Sequence, residues 1–213
     1  MIIGMKNIEI LHEDDHIIII NKPAGLPVQG GKGIKTSLDQ HLKDLGACLV
    51  HRLDKDTSGV LLAAKGKEAA SRFSRILGAD KKAVKLYIAV CAGHPVKNEG
   101  IITDGIFIRG NLKKSITRYK TQKTDNLVQL NQKYSVLELE LGTGRMHQIR
   151  RHLAMNGNPV LADDKYGDFT LNKKLYKSVG LKRLLLHSSH LIIKEYNIDV
   201  QAPLPEYFNP YIS

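Results

Sequence analysis

Residues 50–59 have the sequence Val-His-Arg-Leu-Asp-Lys-Asp-Thr-Ser-Gly and place one carboxylate just ahead of a buried strand. The last four residues are typical of a turn, because Asp, Thr and Ser bond nearby backbone groups and Gly permits tight geometry. The apolar segment 60–64 follows at once and predicts a short buried strand. Asp54 precedes a turn that already has its own Asp, and it lies two residues after Arg52. Asp54 is therefore either a functional carboxylate or a structural one that caps a helix or pairs with Arg52.

Short strands and helices are predicted on both sides of this stretch. Residues 16–21 are apolar and predict a strand, which ends where two prolines and a glycine impose a loop over residues 22–27. Alternation of apolar and other residues predicts further strands, and apolar residues at helical spacing predict two short helices. These strands are Val84–Cys91 and Tyr134–Leu141, and these helices are Thr36–Leu45 and Lys67–Leu77.

Tyr87 lies in the strand predicted over residues 84–91. The alternation places it on the face of Lys85, opposite to Leu86 and Ile88, so we expect it to point away from the aliphatic core. A tyrosine in that position is either ordinary half-exposed strand surface or a flat platform for a nucleobase.

Arg150 lies in a helix predicted over residues 145–156. At 100° per residue its side chain falls beside the apolar stripe, at the edge of the core. A partly buried guanidinium needs an anion close to it. We expect this anion to be Asp54, and pairing with Asp163 or Asp164 is the alternative.

Composition narrows the class of protein. The chain has 213 residues, enough for one large domain with its own core, and a formal net charge of +11. Such an excess favours polyanionic partners, with nucleic acid ahead of anionic membrane. No apolar run approaches the roughly 20 residues that span a bilayer, and the acidic residues before the run 17–20 do not fit a signal peptide. The two cysteines form no metal or disulfide pattern, so we expect a cytoplasmic protein without membrane association.

The segment 101–123 concentrates positive charge around Phe107 and Tyr119. We interpret it as a mobile hairpin that grips RNA phosphates, and solvated surface charge is the alternative. The residues that we expect to bind RNA are Lys85, Arg109, Lys113, Lys114 and Arg118.

Several chemistries lack their required residues. The spacing of a P-loop is absent, and no nucleophile elbow accompanies a serine. Aspartic proteases need two carboxylates that share a proton, and the Asp-Thr-Ser-Gly run occurs once. His187 and His190 lack the further ligands of a zinc site. The remaining possibility is a reaction on RNA that uses one aspartate, with no metal and no cofactor.

Ordered motifs make the chain resemble the RluA-type pseudouridine synthases from about residue 10 to residue 205. Four motifs in the correct order are specific, whereas one alone would be weak evidence. They are Lys22–Leu26, His51–Gly59, Lys85–Tyr87 and Thr143–Arg150. Met146 stands where the family usually has Thr. Residues 160–190 are most similar to the branch that acts on large-subunit ribosomal RNA. Members of that branch normally carry an additional small RNA-binding domain, for which this chain has no room. We therefore expect one catalytic domain over residues 1–213.

The resemblance implies a role for individual side chains. Asp54 matches the catalytic aspartate, and Arg150 matches the arginine that pairs with it. Tyr87 matches the aromatic residue that stacks on the flipped base, and Arg52 matches the arginine that enters the RNA helix and helps displace the uridine. The substrate contacts that we expect beside these are His51, Thr57 and Leu186.

The implied reaction isomerises a uridine within RNA by breaking its N-glycosidic bond and joining C5 of the base to the sugar. The implied fold is α+β, with a mixed, largely antiparallel central sheet flanked by helices and loops and an active cleft across its middle. The expected partner is ribosomal RNA, with transfer RNA as the alternative, and the protein is expected to be a monomer. Two other functions remain open at this point. One is a non-catalytic RNA-binding or ribosome-assembly protein on the same fold, and the other is a glycosidase or protease with a second acid.

Overall fold

The periodic segments form strands and helices in a computed structural model, which describes residues 8–212 except Lys32, Lys35, Ala79 and Lys81. The strands are β1 (Glu9–Glu13), β2 (Ile17–Lys22), β3 (Ala47–Leu49), β4 (Ser58–Lys65), β5 (Val84–Ala92), β6 (Glu99–Ile102), β7 (Ile106–Ile108), β8 (Asn111–Lys113), β9 (Thr117–Leu127), β10 (Gln132–Leu141), β11 (Leu186–Ile193) and β12 (Ile198–Gln201). The helices are α1 (Leu38–Asp44), α2 (Gly66–Leu77), α3 (Gln148–Met155), α4 (Phe169–Val179) and α5 (Asn209–Ile212). The chain divides into two compact units, one of residues 1–85 with 188–204 and the other of residues 86–187 with 205–213.

The first unit is built on strands that are buried on both faces. β2 lies between β1 and β4 in antiparallel pairing, and β3 pairs with the end of β4. β11 lies beside β4, and β12 pairs with β11. Phe73 and Leu77 of α2 pack with Ile19 and Leu62 in one apolar cluster. Continuous burial of both faces explains why β2 and β4 are apolar at successive positions rather than at alternate ones.

In the second unit, four strands pair antiparallel in the order β5–β10–β9–β6. β7 and β8 form a separate two-stranded hairpin, and its turn at Arg109 and Gly110 has positive φ at both residues. That combination is the turn that matches the twist of a tight hairpin. Helices and mainly antiparallel strands in both units make the fold class α+β, which confirms the prediction.

Two predicted helices begin at different residues from those expected. α1 begins after Ser37, whose backbone N–H donates to Gln40 Oε1, so Thr36 does not cap it. α3 begins at Gln148, because His147 has a φ of 53° and cannot continue a right-handed helix. Among the described residues, no helix is both long enough and apolar enough to cross a membrane.

Candidate active site

Lys22 anchors the loop that carries Asp54. Its side chain has no exposed surface, and its Nζ donates hydrogen bonds to the carbonyl oxygens of Pro23, Leu26 and Lys55 at 2.9, 3.1 and 2.9 Å. Gly25 N–H also donates to Lys55 O. One ammonium group therefore joins the loop after β2 to the residue next to Asp54.

The charge on Lys22 is set by two opposed effects. Burial lowers the pKa of its ammonium to about 7, while the negative charges of Asp56 and Asp54 raise the pKa. Three carbonyl acceptors need three N–H donors, and only the protonated amine supplies them. The bonding pattern of Lys22 is therefore that of the charged form, which places a positive charge in the electrostatic field of Asp54.

His51 supports the same loop from its other side. β3 pairs with residues 63–65 of β4, and the imidazole Nε2 of His51 then accepts the backbone N–H of Leu62 at 2.9 Å. Burial and, to a smaller extent, the positive charge of Lys85 lower the pKa of His51 to about 3. His51 is thus a neutral structural acceptor at pH 7, a role that the sequence did not predict. Its contact with substrate stays a prediction.

The low pKa of His51 predicts acid sensitivity. Its ordinary pKa of about 6.5 applies in the unfolded chain, so the unfolded state binds the proton more tightly. Stability present above pH 6.5 is therefore lost as the pH falls towards 3, by up to about 1.4 kcal/mol per pH unit. We expect His51→Gln, which keeps an acceptor that does not titrate, to flatten this slope in urea denaturation at pH 7 and pH 5. The exposed His16→Gln is the control, and equal slopes in all three proteins would contradict the assignment.

Thr57 and Gly59 complete the turn after Asp54. Thr57 N–H donates to Asp54 O at 3.2 Å, which closes the turn. The Thr57 hydroxyl is buried and has no hydrogen-bond partner among the described residues. A Cβ on Gly59 would overlap the backbone of Ser188 in β11, so this position requires glycine. The turn is therefore packed closely against β11, and it holds one unsatisfied hydroxyl of the type that a ligand can engage.

Arg52 differs from its neighbours in this loop because it is exposed. Its Nη1 lies 3.4 Å from Gln29 Oε1, a long hydrogen bond on the surface. Asp54 is partly buried. The loop thus exposes the long side chain of Arg52 to solvent and keeps the Asp54 carboxylate partly shielded from it.

Arg150 lies in the second unit, at the centre of a buried cluster. Its Nε and Nη2 each lie 2.7 Å from an oxygen of Asp163, and Nη2 lies 2.9 Å from Asp164 Oδ1. Pairing with Asp163 and Asp164 was the alternative left open by the sequence, and the structure has both contacts. The expected edge position is confirmed, since Arg150 is buried on α3. Its predicted partnership with Asp54 stays a prediction.

The carboxylate of Asp163 is fully enclosed and remains charged. Burial alone would raise its pKa, but the bonds from Arg150 and from the backbone N–H groups of Tyr166 and Lys165 hold the pKa below its usual value. The Arg150 guanidinium also lies 5.4 Å from the ring centre of Tyr166. His147 Nδ1 lies 3.0 Å from the Tyr166 hydroxyl. The guanidinium is therefore fixed by ionic, hydrogen-bond and cation–π contacts together.

Tyr87 is more buried than the sequence predicted. Its exposed fraction is 6%, and Ala89 and Cys91 on the same face of β5 are fully buried. The expectation that this face points away from the core is wrong, because Tyr87, Ala89 and Cys91 are buried whereas Leu86 and Ile88 on the opposite face are only partly buried. Leu186, the first residue of β11, is also buried. The roles of Tyr87 and Leu186 at the substrate stay predictions.

The residues expected to bind RNA fall into two groups. Lys85 Nζ donates to Leu77 O at the end of α2, and burial lowers its pKa, so its principal contact is structural. The others are exposed on strands, a turn or a loop: Arg109, Lys113, Lys114 and Arg118. Arg118 makes a 3.4 Å surface ion pair with Glu140, of the weak exposed kind.

His187 and His190, the histidine pair considered for zinc, both lie in β11. His187 is buried, and His190 Nε2 lies 2.6 Å from Asp199 Oδ1, on the neighbouring strand. The described part of the chain has no group of three side chains that could hold a metal ion.

Lys22 and Tyr166 support the site but were not predicted from the sequence, whereas Asp163 was predicted as an alternative partner of Arg150. For Lys22 there was a signal, since a lysine that follows four isoleucines and one asparagine and precedes a proline lies at the end of a buried strand. For Tyr166 the sequence gave no signal that distinguishes a residue supporting the site from one in a surface turn.

Comparison with known proteins identifies the family. The family model for RNA pseudouridylate synthase matches residues 16–155, which is most of the chain. The arrangement of an anchored aspartate loop and a mainly antiparallel α+β fold agrees with this match. The chain therefore belongs to the RNA pseudouridylate synthase family, whose members isomerise uridine in RNA.

Individual relatives extend the match to nearly the whole chain. The ribosomal large subunit pseudouridine synthase C of Rickettsia typhi is 39% identical over 93% of this chain and 69% of its own length. The protein with the same name in Buchnera aphidicola is 33% identical over 96% of this chain. The solved structure of human RNA pseudouridylate synthase domain containing 4 is 26% identical, with a TM-score of 0.79, and covers 94% of this chain and 90% of its own.

Proposed function

We propose that this protein converts a uridine of large-subunit ribosomal RNA into pseudouridine. The observation that carries the proposal is the 39% identity over 93% of the chain to a protein named for that substrate. The net charge of +11 supports an RNA of high charge density as the partner. Transfer RNA is the alternative substrate, and a monomeric, cytoplasmic enzyme is the form that we propose.

The proposed reaction is an isomerisation. The bond from N1 of the base to C1′ of the sugar breaks, a bond from C5 to C1′ forms, C5 loses a proton and N1 gains one. Asp54 is the proposed catalytic carboxylate, which acts after the uridine leaves the stack. Unstacking requires a few kcal/mol, which contacts to the flipped base and the phosphates offset.

Further residues have proposed roles in holding the substrate. Arg52 takes the position of the departed uridine, a role supported by its exposure beside Asp54. Tyr87 stacks on the base, Arg150 contacts the catalytic carboxylate, and Thr57 offers its unsatisfied hydroxyl to the nucleoside. Arg109, Lys113, Lys114 and Arg118 hold phosphates.

A direct assay tests the substrate. The purified chain is incubated with a large-subunit ribosomal RNA transcript and, separately, with unmodified transfer RNAs, and pseudouridines are mapped by carbodiimide labelling and reverse transcription. We expect one or a few modified uridines in the ribosomal transcript and none in the transfer RNAs. Modification confined to transfer RNA would establish the alternative substrate. Binding to RNA without modification of either class would support a non-catalytic protein on this fold.

A further inference from the structure

The β7–β8 hairpin exposes an apolar pair inside a basic segment of the chain. Phe107 and Leu112 are directly opposite each other in the register of the two strands. Their exposed fractions are 62% and 60%. Opposite side chains share one face of a hairpin, so the two residues form one continuous apolar surface.

The hairpin holds this surface in a fixed position. Ile108 and Asn111 flank the two-residue turn, so the next pair, Phe107 and Leu112, is of the type without mutual backbone hydrogen bonds. The carbonyl oxygen of Phe107 instead accepts a hydrogen bond from Arg151 Nη1 at 3.0 Å, which connects the hairpin to α3. A Cβ on Gly105 would lie 2.7 Å from Leu112, so the leucine packs directly over that backbone.

Positive charge surrounds the apolar pair. Arg109 lies in the turn, Lys113 follows Leu112, and Lys114 O accepts from Arg145 Nε at 3.3 Å. The four cationic side chains are all exposed: Arg109, Lys113, Lys114 and Arg145. A protein partner would have to be strongly acidic to cover such a surface. In RNA, each nucleotide has both a phosphate for the cations and a flat base for the apolar pair.

We propose that the Phe107–Leu112 surface stacks on an unpaired base of the RNA while the surrounding cations hold its phosphates. This inference rests on the proposed RNA substrate and adds a second base contact, apart from the reacting uridine. Stacking on an aromatic ring tolerates any base, because every base has a π face. The site therefore contributes affinity for single-stranded RNA without sequence preference.

A binding experiment separates stacking from charge. The full chain and its variants bind fluorescein-labelled 12-nucleotide oligouridylate and a blunt 12-base-pair RNA duplex at several salt concentrations. We expect Phe107→Ala to weaken oligouridylate binding about tenfold with no change in the salt slope, and to change duplex binding less than twofold. Phe169→Ala removes an equally exposed phenylalanine from α4 and is expected to bind as the wild type does. Arg109→Gln is expected to lower the salt slope by about one.

A spectroscopic readout makes the test independent of affinity. The chain has no tryptophan, so Phe107→Trp creates a single reporter. We expect oligouridylate to quench its fluorescence and heparin, a polyanion without bases, to leave it unchanged, while Phe169→Trp responds to neither. Equal effects of Phe107→Ala and Phe169→Ala on oligouridylate binding, or no quenching by oligouridylate, would overturn the proposal. The surface would then be a candidate binding site for a protein instead. Both measurements use an RNA that is not the enzyme's substrate, so they succeed or fail independently of the ribosomal assay.

Discussion

Asp54→Asn is expected to lower pseudouridine formation at least a thousandfold while RNA affinity changes less than about fivefold. The amide has the shape of the carboxylate but neither its negative charge nor its ability to act as a base or nucleophile. Because the remaining contacts to RNA are unaltered, the lost interaction is one made in the reaction rather than in binding. The measurement is single-turnover release of tritium from C5 of labelled uridine, alongside filter binding of the same RNA.

The loop supplies a matched control for this substitution. Asp56→Asn makes the same change two residues further on, and both carboxylates attract Lys22. A turnover loss caused by weakening the Lys22 anchor would therefore appear in both variants. We expect Asp56→Asn to retain turnover within about tenfold of the wild type. A normal rate in Asp54→Asn, or an equal loss in both variants, would contradict a catalytic role for Asp54.

The strands near Asp54 were predictable because their physical signals are local. The predicted strand over residues 60–64 lies within β4, and that over residues 16–21 differs from β2 by one residue at each end. Runs of apolar residues bounded by turn residues identify buried strands without any knowledge of their partners. The same logic predicted that the Asp54 turn lies at the start of a strand.

Features that depend on distant contacts were less predictable. The pattern of residues 145–156 is helical throughout, yet the helix begins only at Gln148, because His147 has a positive φ. The Gln148 side chain bonds Thr143 and Ile116, which precede the helix. Strand alternation likewise predicted that Tyr87 faces away from the core, but its face of β5 is the buried one there, and Leu86 and Ile88 on the other face are only partly buried. Neither outcome could be read from periodicity, since both depend on neighbours remote in sequence.

The anion of Arg150 illustrates the same limit. Helix geometry predicts a buried guanidinium that needs a carboxylate, and the chain has 21 acidic residues from which to choose. The residues 163–167 form a tight turn in which a Cβ on Gly167 would overlap the carbonyl of Asp163. In that turn the backbone N–H groups of Lys165 and Tyr166 donate to the Asp163 carboxylate, which also accepts from Arg150. The helix pattern alone shows that Arg150 needs an anion. Which carboxylate supplies it depends on this turn, which forms only in the folded chain.

Arg150→Met is expected to destabilise the protein by about 3–5 kcal/mol at pH 7, because it leaves the enclosed carboxylate of Asp163 without its cation. In the wild type the pKa of Asp163 is held low, so its stabilising contribution is present above pH 4 and is lost as the pH falls through that low value. In the variant burial raises the pKa, and protonation at acidic pH removes the unpaired charge. The deficit relative to the wild type should therefore shrink between pH 5 and pH 3 in urea denaturation. Arg151→Met on the same helix is the control, and a deficit independent of pH would contradict the pairing.

The double variant Arg150→Met with Asp163→Asn separates structure from catalysis. Removing both charges leaves no buried ion, so we expect part of the lost stability to return and a coupling energy of more than about 1 kcal/mol between the two positions. If Arg150 also contacts the catalytic carboxylate as proposed, the refolded double variant still lacks that cation and stays inactive. Recovery of turnover together with stability would mean that Arg150 acts only by holding residues 163–167. The acid dependence of the single variant and the inactivity of the double variant thus test the two roles of one guanidinium separately.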